Sequence, residues 1–231
     1  MRISRTSVVF SFLYVVLGLA WVFGARPPGQ IAIYVAWFVA VAVVGAFIPG
    51  LANQVSLARA YLAAPAIAYS VSADRLGLLA VVLAIAGLTD LVDGTIARRF
   101  DKPSRLGGGL DPVVDGVLLG SVGIGLVIGG ILPSWLAAVI VLRYLVPAVG
   151  GLALISAGYR PELHHTVSGQ ISTALIIVLV GGICLFRFFN QDVSNVVAGA
   201  EIAIPIATLA TFVHLGWAAR RRRPVTAPGG G

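Results

Sequence analysis

Two long apolar runs joined by a short charged segment decide the fold class. They occupy residues 76–131, LGLLAVVLAIAGLTDLVDGTIARRFDKPSRLGGGLDPVVDGVLLGSVGIGLVIGGI. Each run is about 20 residues long, the length that an α-helix needs to cross the hydrocarbon core of a bilayer. Acidic residues stand in both runs at the ends that face the connecting segment. The stretch therefore predicts two antiparallel membrane-spanning helices with carboxylates gathered at one membrane face.

The composition extends this interpretation to the whole chain of 231 residues. Hydrophobic residues make up 58% of it and charged residues only 11%, and its mean hydropathy is +0.98. A soluble domain carries about 25% charged residues, so a water-soluble fold and a disordered chain are both excluded. A disulfide scaffold is excluded because Cys184 is the only cysteine. We expect an all-α, polytopic integral membrane bundle.

Eight apolar runs are long enough to be spans, and turn-forming or charged residues separate them. The first run follows Arg2 and Arg5 as a signal peptide would, but its apolar stretch of about 18 residues is longer than a usual signal core, so we expect an uncleaved span. The predicted spans are 7–25, 31–49, 56–72, 76–97, 109–131, 134–157, 169–188 and 195–219.

The basic residues predict the orientation, because cytoplasmic loops carry an excess of Arg and Lys. The side that holds both termini carries eleven of them, against three on the other side, which are Arg26, Arg75 and Arg187. Both termini and the 98–108 loop are therefore expected in the cytoplasm, and the membrane is expected to be a bacterial plasma membrane. The block Arg220–Arg223 indicates a topology anchor rather than a nucleic-acid site. The eleven are Arg2, Arg5, Arg98, Arg99, Lys102, Arg105, Arg160, Arg220, Arg221, Arg222 and Arg223.

Four of the nine acidic residues fall within 26 positions, and their spacing points to a metal site. Asp90 and Asp93 are three residues apart at the end of the fourth span, and Asp111 and Asp115 are four apart at the start of the fifth. Each pair lies on one helix face, so four carboxylates can converge. Such a cluster needs cations, and all-oxygen ligands suit Mg²⁺, Mn²⁺ or Ca²⁺. Two metal ions could clamp a phosphate there; the alternative is a set of helix-end carboxylates that face water.

Glycines follow the acidic pairs along the fifth span. Gly116, Gly120, Gly125 and Gly129 present a small-residue face. Such a face favours close packing between helices, and a dimer seam is the alternative.

The spacing of these residues also resembles a known family signature. The chain has Asp90-x2-Asp93-Gly94-x2-Ala97-Arg98-x8-Gly107-x3-Asp111-x3-Asp115, with all eight fixed positions of the CDP-alcohol phosphotransferase signature. An upstream segment, Asn53-x2-Ser56-x2-Arg59, is similar to the Asn-x2-Thr-x2-Arg stretch that members carry before their first core span. The resemblance implies a six-span core at 50–219, a two-span extension at 1–49, and a basic cytoplasmic tail at 220–231.

The resemblance implies transfer of a phosphatidyl group from CDP-diacylglycerol to an alcohol, with release of CMP. It assigns Asp90, Asp93 and Asp111 as metal ligands, and Asp115 as the catalytic base that also touches the second metal. The expected cofactor is Mg²⁺ or Mn²⁺, as two ions, and a homodimer is expected from the family alone. Residues expected to contact the cytidine diphosphate are Gly94, Ala97, Arg98, Gly107, Asn53, Ser56 and Arg59.

The local sequence around Arg105 is similar to that of the phosphatidylglycerophosphate and cardiolipin synthase branch. This similarity suggests glycerol 3-phosphate or phosphatidylglycerol as the acceptor. That branch commonly has Lys where this chain has Gly116, Arg-Glu where it has Arg143-Tyr144, and Lys where it has Gln170. Inositol, inositol phosphate or another polar alcohol is therefore an alternative acceptor.

The roles of three arginines stay open. Arg105 and Arg143 are candidates for binding an acceptor or lipid phosphate, with a structural Asp partner as the alternative for Arg143. Arg59 could bind a nucleotide phosphate, or its side chain could snorkel to the lipid headgroups. Two alternatives of another class also stay open for the whole chain. One is a divalent-cation transporter, and the other is a catalytically silent CDP-lipid binder.

Overall fold

The computed structural model describes residues 4–99, 105–156 and 167–220. Within these ranges every regular element is helical, which confirms the all-α class. The predicted tail beyond Arg220 and the basic loop position Arg160 lie outside the described residues. The helices are α1 (Arg5–Ala25), α2 (Ile31–Phe47), α3 (Leu51–Ser70), α4 (Leu76–Arg99), α5 (Arg105–Ile128), α6 (Ser134–Ser156), α7 (Val167–Phe188) and α8 (Ser194–Arg220).

Length and apolar character single out four of these helices as membrane spans within the described part of the chain. The apolar stretches are Arg5–Ala25, Leu110–Ile128, Ile171–Phe188 and Ser194–Trp217. Two further apolar stretches, Ile31–Phe47 and Ser134–Gly150, are shorter. The structure is therefore a helical bundle of membrane type, whereas the number of eight spans stays a prediction.

Helix α3 departs from its predicted span, because it begins at Leu51 rather than at residue 56. Gly50 takes a positive φ of 101° just before the helix, which suits a residue without a Cβ. The Asn53 side chain donates a hydrogen bond to the Pro49 carbonyl across 2.7 Å. The polar residues that lower the hydropathy here, among them Gln54, are buried within the bundle. The Asn-x2-Ser-x2-Arg segment thus lies inside a helix rather than before one.

The six helices α3 to α8 form a closed ring whose spatial order differs from the chain order. Helix α3 packs against α4 and α5, α4 packs against α7, and α5 packs against α6, while α6 and α7 both pack against α8. The order around the ring is therefore α3, α4, α7, α8, α6 and α5. Leu79, Leu126, Leu136 and Ile183 belong to the apolar core that fills the half of the ring where α4 begins and α5 ends. The opposite half is left for polar side chains.

The hairpin of α1 and α2 packs mainly on α3. Lipid is as apolar as a leucine side chain, so close packing and hydrogen bonds have to hold membrane helices together. Trp37 Nε1 donates to the Ala60 carbonyl at 2.9 Å, and Trp21 Nε1 donates to the Tyr69 hydroxyl at 2.7 Å. Gln54 Nε2 donates back to the Gly45 carbonyl at 2.8 Å. These bonds tie the hairpin to the helix that carries Arg59.

The glycines of α5 pack that helix against its neighbours. A Cβ built on Gly125 would lie 1.7 Å from Ser70 Oγ, and one on Gly129 would lie 2.8 Å from the Ser70 carbonyl oxygen. The predicted role in close helix packing therefore holds for the contact between α3 and α5.

We expect Gly125→Ala to lower the free energy of unfolding by about 1–3 kcal/mol, the usual penalty for overpacking a core. Gly182→Ala is the matched control, because its Cβ would meet nothing within 4 Å, and better helix propensity should leave it neutral or more stable by up to about 1 kcal/mol. Thermal unfolding of both variants in detergent gives the comparison. Equal melting temperatures would show that α3 and α5 accommodate the added methyl group without a loss of stability.

Candidate active site

Three of the four predicted aspartates meet at the guanidinium of Arg59. Arg59 Nη1 lies 2.6 Å from Asp90 Oδ1 and 2.6 Å from Asp115 Oδ1, and Nη2 lies 3.1 Å from Asp111 Oδ1. The arginine side chain is 1% exposed, while those of Asp115, Asp111 and Asp90 are 11%, 19% and 41% exposed. The cluster thus opens from a buried cation toward Asp90.

Three helices position this cluster. Asp111 and Asp115 lie one turn apart on α5, Asp90 lies in the second half of α4, and Arg59 lies on α3, which packs against both. A buried carboxylate is stable only with a compensating partner, and removing one partner of such a pair costs about 3–5 kcal/mol. Arg59 therefore holds α3, α4 and α5 together at the polar half of the ring.

The snorkelling alternative for Arg59 is wrong, because its guanidinium points into the bundle. The other α3 residues of the motif are buried beside it, and their side chains bond to backbone carbonyls. Asn53 bonds to Pro49, as above, and Ser56 Oγ donates to the Ala52 carbonyl at 3.2 Å. The remaining predicted site residues lie outside the described side chains, and their roles stay predictions: Asp93, Gly94, Ala97, Arg98, Arg105 and Gly107.

The donor set of the cluster suits a hard divalent cation. Carboxylate oxygens from Asp90, Asp111 and Asp115 are the ligands that Mg²⁺ and Mn²⁺ prefer. Among the side chains that the structure describes, no three Asp, Glu, His or Cys groups stand ready around a single ion, since Arg59 lies between the three carboxylates. The residues fit a metal ion, and its presence stays a prediction.

A second buried arginine, Arg143 on α6, lies inside the same half of the ring. Its Nη1 donates to Ser172 Oγ and, at 3.3 Å, to Thr211 Oγ1. Its Nη2 donates to the Gly169 carbonyl at 2.9 Å and to Thr173 Oγ1 at 3.3 Å. We call these residues of α7 and α8, with Arg143, the hydroxyl cluster.

The hydroxyl cluster surrounds a full positive charge with neutral groups. Arg143 is 4% exposed, and its Nε has no hydrogen-bond partner among the residues that the structure describes. No ion pair joins it to a carboxylate among the described residues, so the predicted alternative of an Asp partner finds no support there. A lone cation at this depth is expensive, and the arrangement favours an anionic ligand.

Sequence reasoning missed the partners of Arg143. Ser172 and Thr211 belong to no motif, whereas Thr173 ends the stretch Ser168-Gly169-Gln170-x2-Thr173, which is similar to a Ser-x-Lys-x2-Thr stretch of the synthase branch. Two adjacent hydroxyl residues at the start of an apolar helix are a signal that could have found Ser172. Thr211 could not be found in this way, because it lies 68 residues from Arg143.

Two departures from the synthase branch are neighbours in space. A Cβ on Gly116 would lie 2.8 Å from the Cβ of Tyr144, so Tyr144 fills the room that a lysine at position 116 would need. The Tyr144 hydroxyl lies 3.2 Å from Thr173 Oγ1, and Arg143 Cζ lies 5.4 Å from its ring centroid. Tyr144 thus bridges the residue that follows Asp115 and the hydroxyl cluster.

Comparison with known proteins gives a family match over most of the chain. Residues 50–217 match the family model described as CDP-alcohol phosphatidyltransferase. The chain is 33% identical over 138 residues to the CDP-diacylglycerol–glycerol-3-phosphate 3-phosphatidyltransferase of Bacillus subtilis (strain 168), covering 60% of this chain and 69% of that protein. It is 35% identical over 154 residues to the human cardiolipin synthase (CMP-forming), covering 60% of this chain and 51% of that protein.

A third relative, named probable cardiolipin synthase (CMP-forming), comes from Drosophila melanogaster and is 41% identical over 92 residues. That match covers 39% of this chain and only 28% of the relative. Several matched relatives are therefore considerably longer than the segment they share with this chain. No solved structure matches the chain.

Proposed function

Because the chain belongs to the CDP-alcohol phosphatidyltransferase family, we propose that this integral membrane protein transfers a phosphatidyl group from CDP-diacylglycerol to an anionic alcohol and releases CMP. The single observation that carries the proposal is the convergence of Asp90, Asp111 and Asp115 within one half of the helix ring. Acidic clusters of this kind serve phosphate displacement when they hold divalent cations.

Asp115 is the proposed general base. It is the most buried of the three described carboxylates, and a carboxylate held within hydrogen-bond reach of the acceptor hydroxyl can serve as its general base. Its carboxylate would accept the proton of the acceptor hydroxyl as the acceptor oxygen attacks the lipid phosphate and CMP departs. Mg²⁺ or Mn²⁺ held by Asp90, Asp93, Asp111 and Asp115 would neutralise charge on the diphosphate.

Arg143 supports an anionic acceptor. A guanidinium binds phosphate with two parallel hydrogen bonds, and no hydrogen-bond partner of Arg143 Nε lies in the described part of the chain. The name of the Bacillus subtilis relative contains glycerol 3-phosphate, and the resemblance to the synthase branch adds phosphatidylglycerol. Both alcohols carry a phosphate. Inositol phosphate is a second candidate, since it offers the same group. Inositol is uncharged and would leave Arg143 without an anion, whereas serine carries a carboxylate but no phosphate.

The two alternatives of another class make different demands on the molecule. A cation transporter needs acidic residues along the whole membrane depth, whereas Asp90, Asp111 and Asp115 share one half of the ring. A silent CDP-lipid binder would keep the site and show no turnover. The proposed location remains a bacterial plasma membrane, with the active site on the cytoplasmic side, where a cytidine nucleotide is available.

Metal removal gives the first test. We expect the purified protein to release CMP from CDP-diacylglycerol with Mg²⁺ or Mn²⁺ and one of the phosphate-bearing alcohols, and EDTA to abolish that release. The panel is glycerol 3-phosphate, phosphatidylglycerol, inositol phosphate, inositol and serine. Release that persists in EDTA would remove the metal from the proposal. CDP-lipid binding without CMP release on any acceptor would favour the silent binder.

A further inference from the structure

The cluster around Arg59 is a cation site that the protein fills with its own side chain. Nη1 of Arg59 contacts Oδ1 of both Asp90 and Asp115, and Nη2 contacts Oδ1 of Asp111. These oxygen atoms are the ones that a divalent cation would need. Carboxylate oxygens are also the ligands that a hard dication prefers, so the same three side chains suit either cation.

We propose that Arg59 competes with the divalent cation for these carboxylates and exchanges them for a phosphate of the CDP-linked substrate when the site is loaded. The inference rests on the proposed function, because it presumes that the carboxylates bind metal. It makes Arg59 a positioning residue that couples metal loading to substrate loading.

The burial of Arg59 explains why the exchange must be coupled. Its side chain is 1% exposed, so a guanidinium displaced from the carboxylates needs another anion for as long as it stays buried. A buried arginine without an anion is strongly unfavourable. The anion that the reaction brings to the site is the diphosphate of the substrate, and a guanidinium binds phosphate as well as it binds carboxylate. Arg59 therefore weakens the binding of metal alone, and binding of the nucleotide removes this effect.

The structure around Arg59 favours a small movement of the guanidinium rather than of the helix. The hairpin of α1 and α2 fixes α3 on one side through Trp37, which donates to the carbonyl of Ala60, the residue after Arg59. On the other side α3 touches α5 closely at Gly125. The exchange is thus confined to the end of the arginine side chain.

Mn²⁺ titration of the full chain in detergent, with and without CDP, tests the proposal. We expect Arg59→Gln to bind Mn²⁺ alone at least about tenfold more tightly than the wild type, since one opposite charge shifts carboxylate equilibria by about one to three decades. CDP should tighten Mn²⁺ binding in the wild type, and by a smaller factor in Arg59→Gln. Arg143→Gln is the matched control, because it removes a buried arginine that touches no described carboxylate, and its Mn²⁺ affinity should equal that of the wild type.

Arg59→Lys is a second variant, which keeps the test valid if Arg59→Gln fails to fold. A single ammonium keeps the charge but cannot contact three carboxylates in this fork, so we expect intermediate Mn²⁺ affinity. Arg59→Gln should also melt at lower temperature than the wild type in EDTA and gain more from Mn²⁺. Unchanged or weaker Mn²⁺ binding in both Arg59 variants would overturn the competition, and an unchanged effect of CDP would overturn the exchange. If the wild type itself binds no Mn²⁺, the metal dependence in the proposed function fails and the inference fails with it.

Discussion

Asp115→Asn should reduce CMP release by about 10³-fold or more, while binding of CDP-diacylglycerol stays close to that of the wild type. The size follows from the loss of the proposed general base, which would contribute about 10²–10⁴-fold, together with the loss of an expected ligand for the second metal. An amide keeps the shape of the carboxylate and one oxygen that can still accept a hydrogen bond from Arg59 Nη1. The substitution therefore separates chemistry from packing better than alanine would.

Steady-state CMP release and equilibrium binding of the CDP-lipid provide the two measurements for Asp115→Asn. Asp192→Asn is the control, since Asp192 is an exposed carboxylate before α8 whose partner is Ser194. Hydrogen bonds from Ser194 hold the pKa of Asp192 below its usual range, and nothing connects it to the cluster. If Asp115→Asn retained most of the wild-type turnover, another group would have to take the proton from the acceptor.

Arg143→Gln should lower kcat/KM for a phosphate-bearing acceptor by about 10- to 100-fold, in line with about 1.5–3 kcal/mol for hydrogen bonds to a charged group. The loss should appear in KM for the acceptor and leave KM for CDP-diacylglycerol unchanged. Arg143→Lys keeps the charge without the planar fork, and we expect it to fall between the two. Initial rates at varied acceptor and fixed lipid, then the reverse, provide the measurement.

The pattern of KM values also decides which phosphate Arg143 binds. A higher KM for CDP-diacylglycerol with an unchanged acceptor KM would assign Arg143 to the donor lipid. Unchanged values for both would give it a purely structural role among Ser172, Thr173 and Thr211.

The helical class, the membrane character and the family could all be predicted from the sequence, because they depend on local patterns. Apolar runs of span length indicate a membrane environment. The spacing of Asp90, Asp111 and Asp115 indicates which helix face each carboxylate occupies. Helix α3 begins before the predicted span of about 56–72 for a related reason. Its polar residues lower the hydropathy of the helix, and hydropathy cannot distinguish a polar segment in water from one buried against other helices.

The partners of the two arginines could not be predicted, because they depend on which helices are neighbours in the ring. Arg59 meets Asp115 across 56 residues, and Arg143 meets Thr211 across 68 residues. Both contacts follow from a ring order that differs from the chain order. The contact between Tyr144 and Gly116 could not be predicted for the same reason. It depends on how α5 and α6 pack against each other.

The order of the ring has a consequence for how the protein is made. Arg143 enters the bilayer with α6, before the ribosome has produced any of its hydrogen-bond partners, which follow it by 26 to 68 residues. Until α7 and α8 arrive, its guanidinium can be solvated only by water or lipid headgroups at the membrane surface. We therefore expect α6 to take its final depth only after α7 and α8 have been inserted. In a nascent chain arrested after α6, Arg143 would be exposed, whereas it is buried in the finished protein.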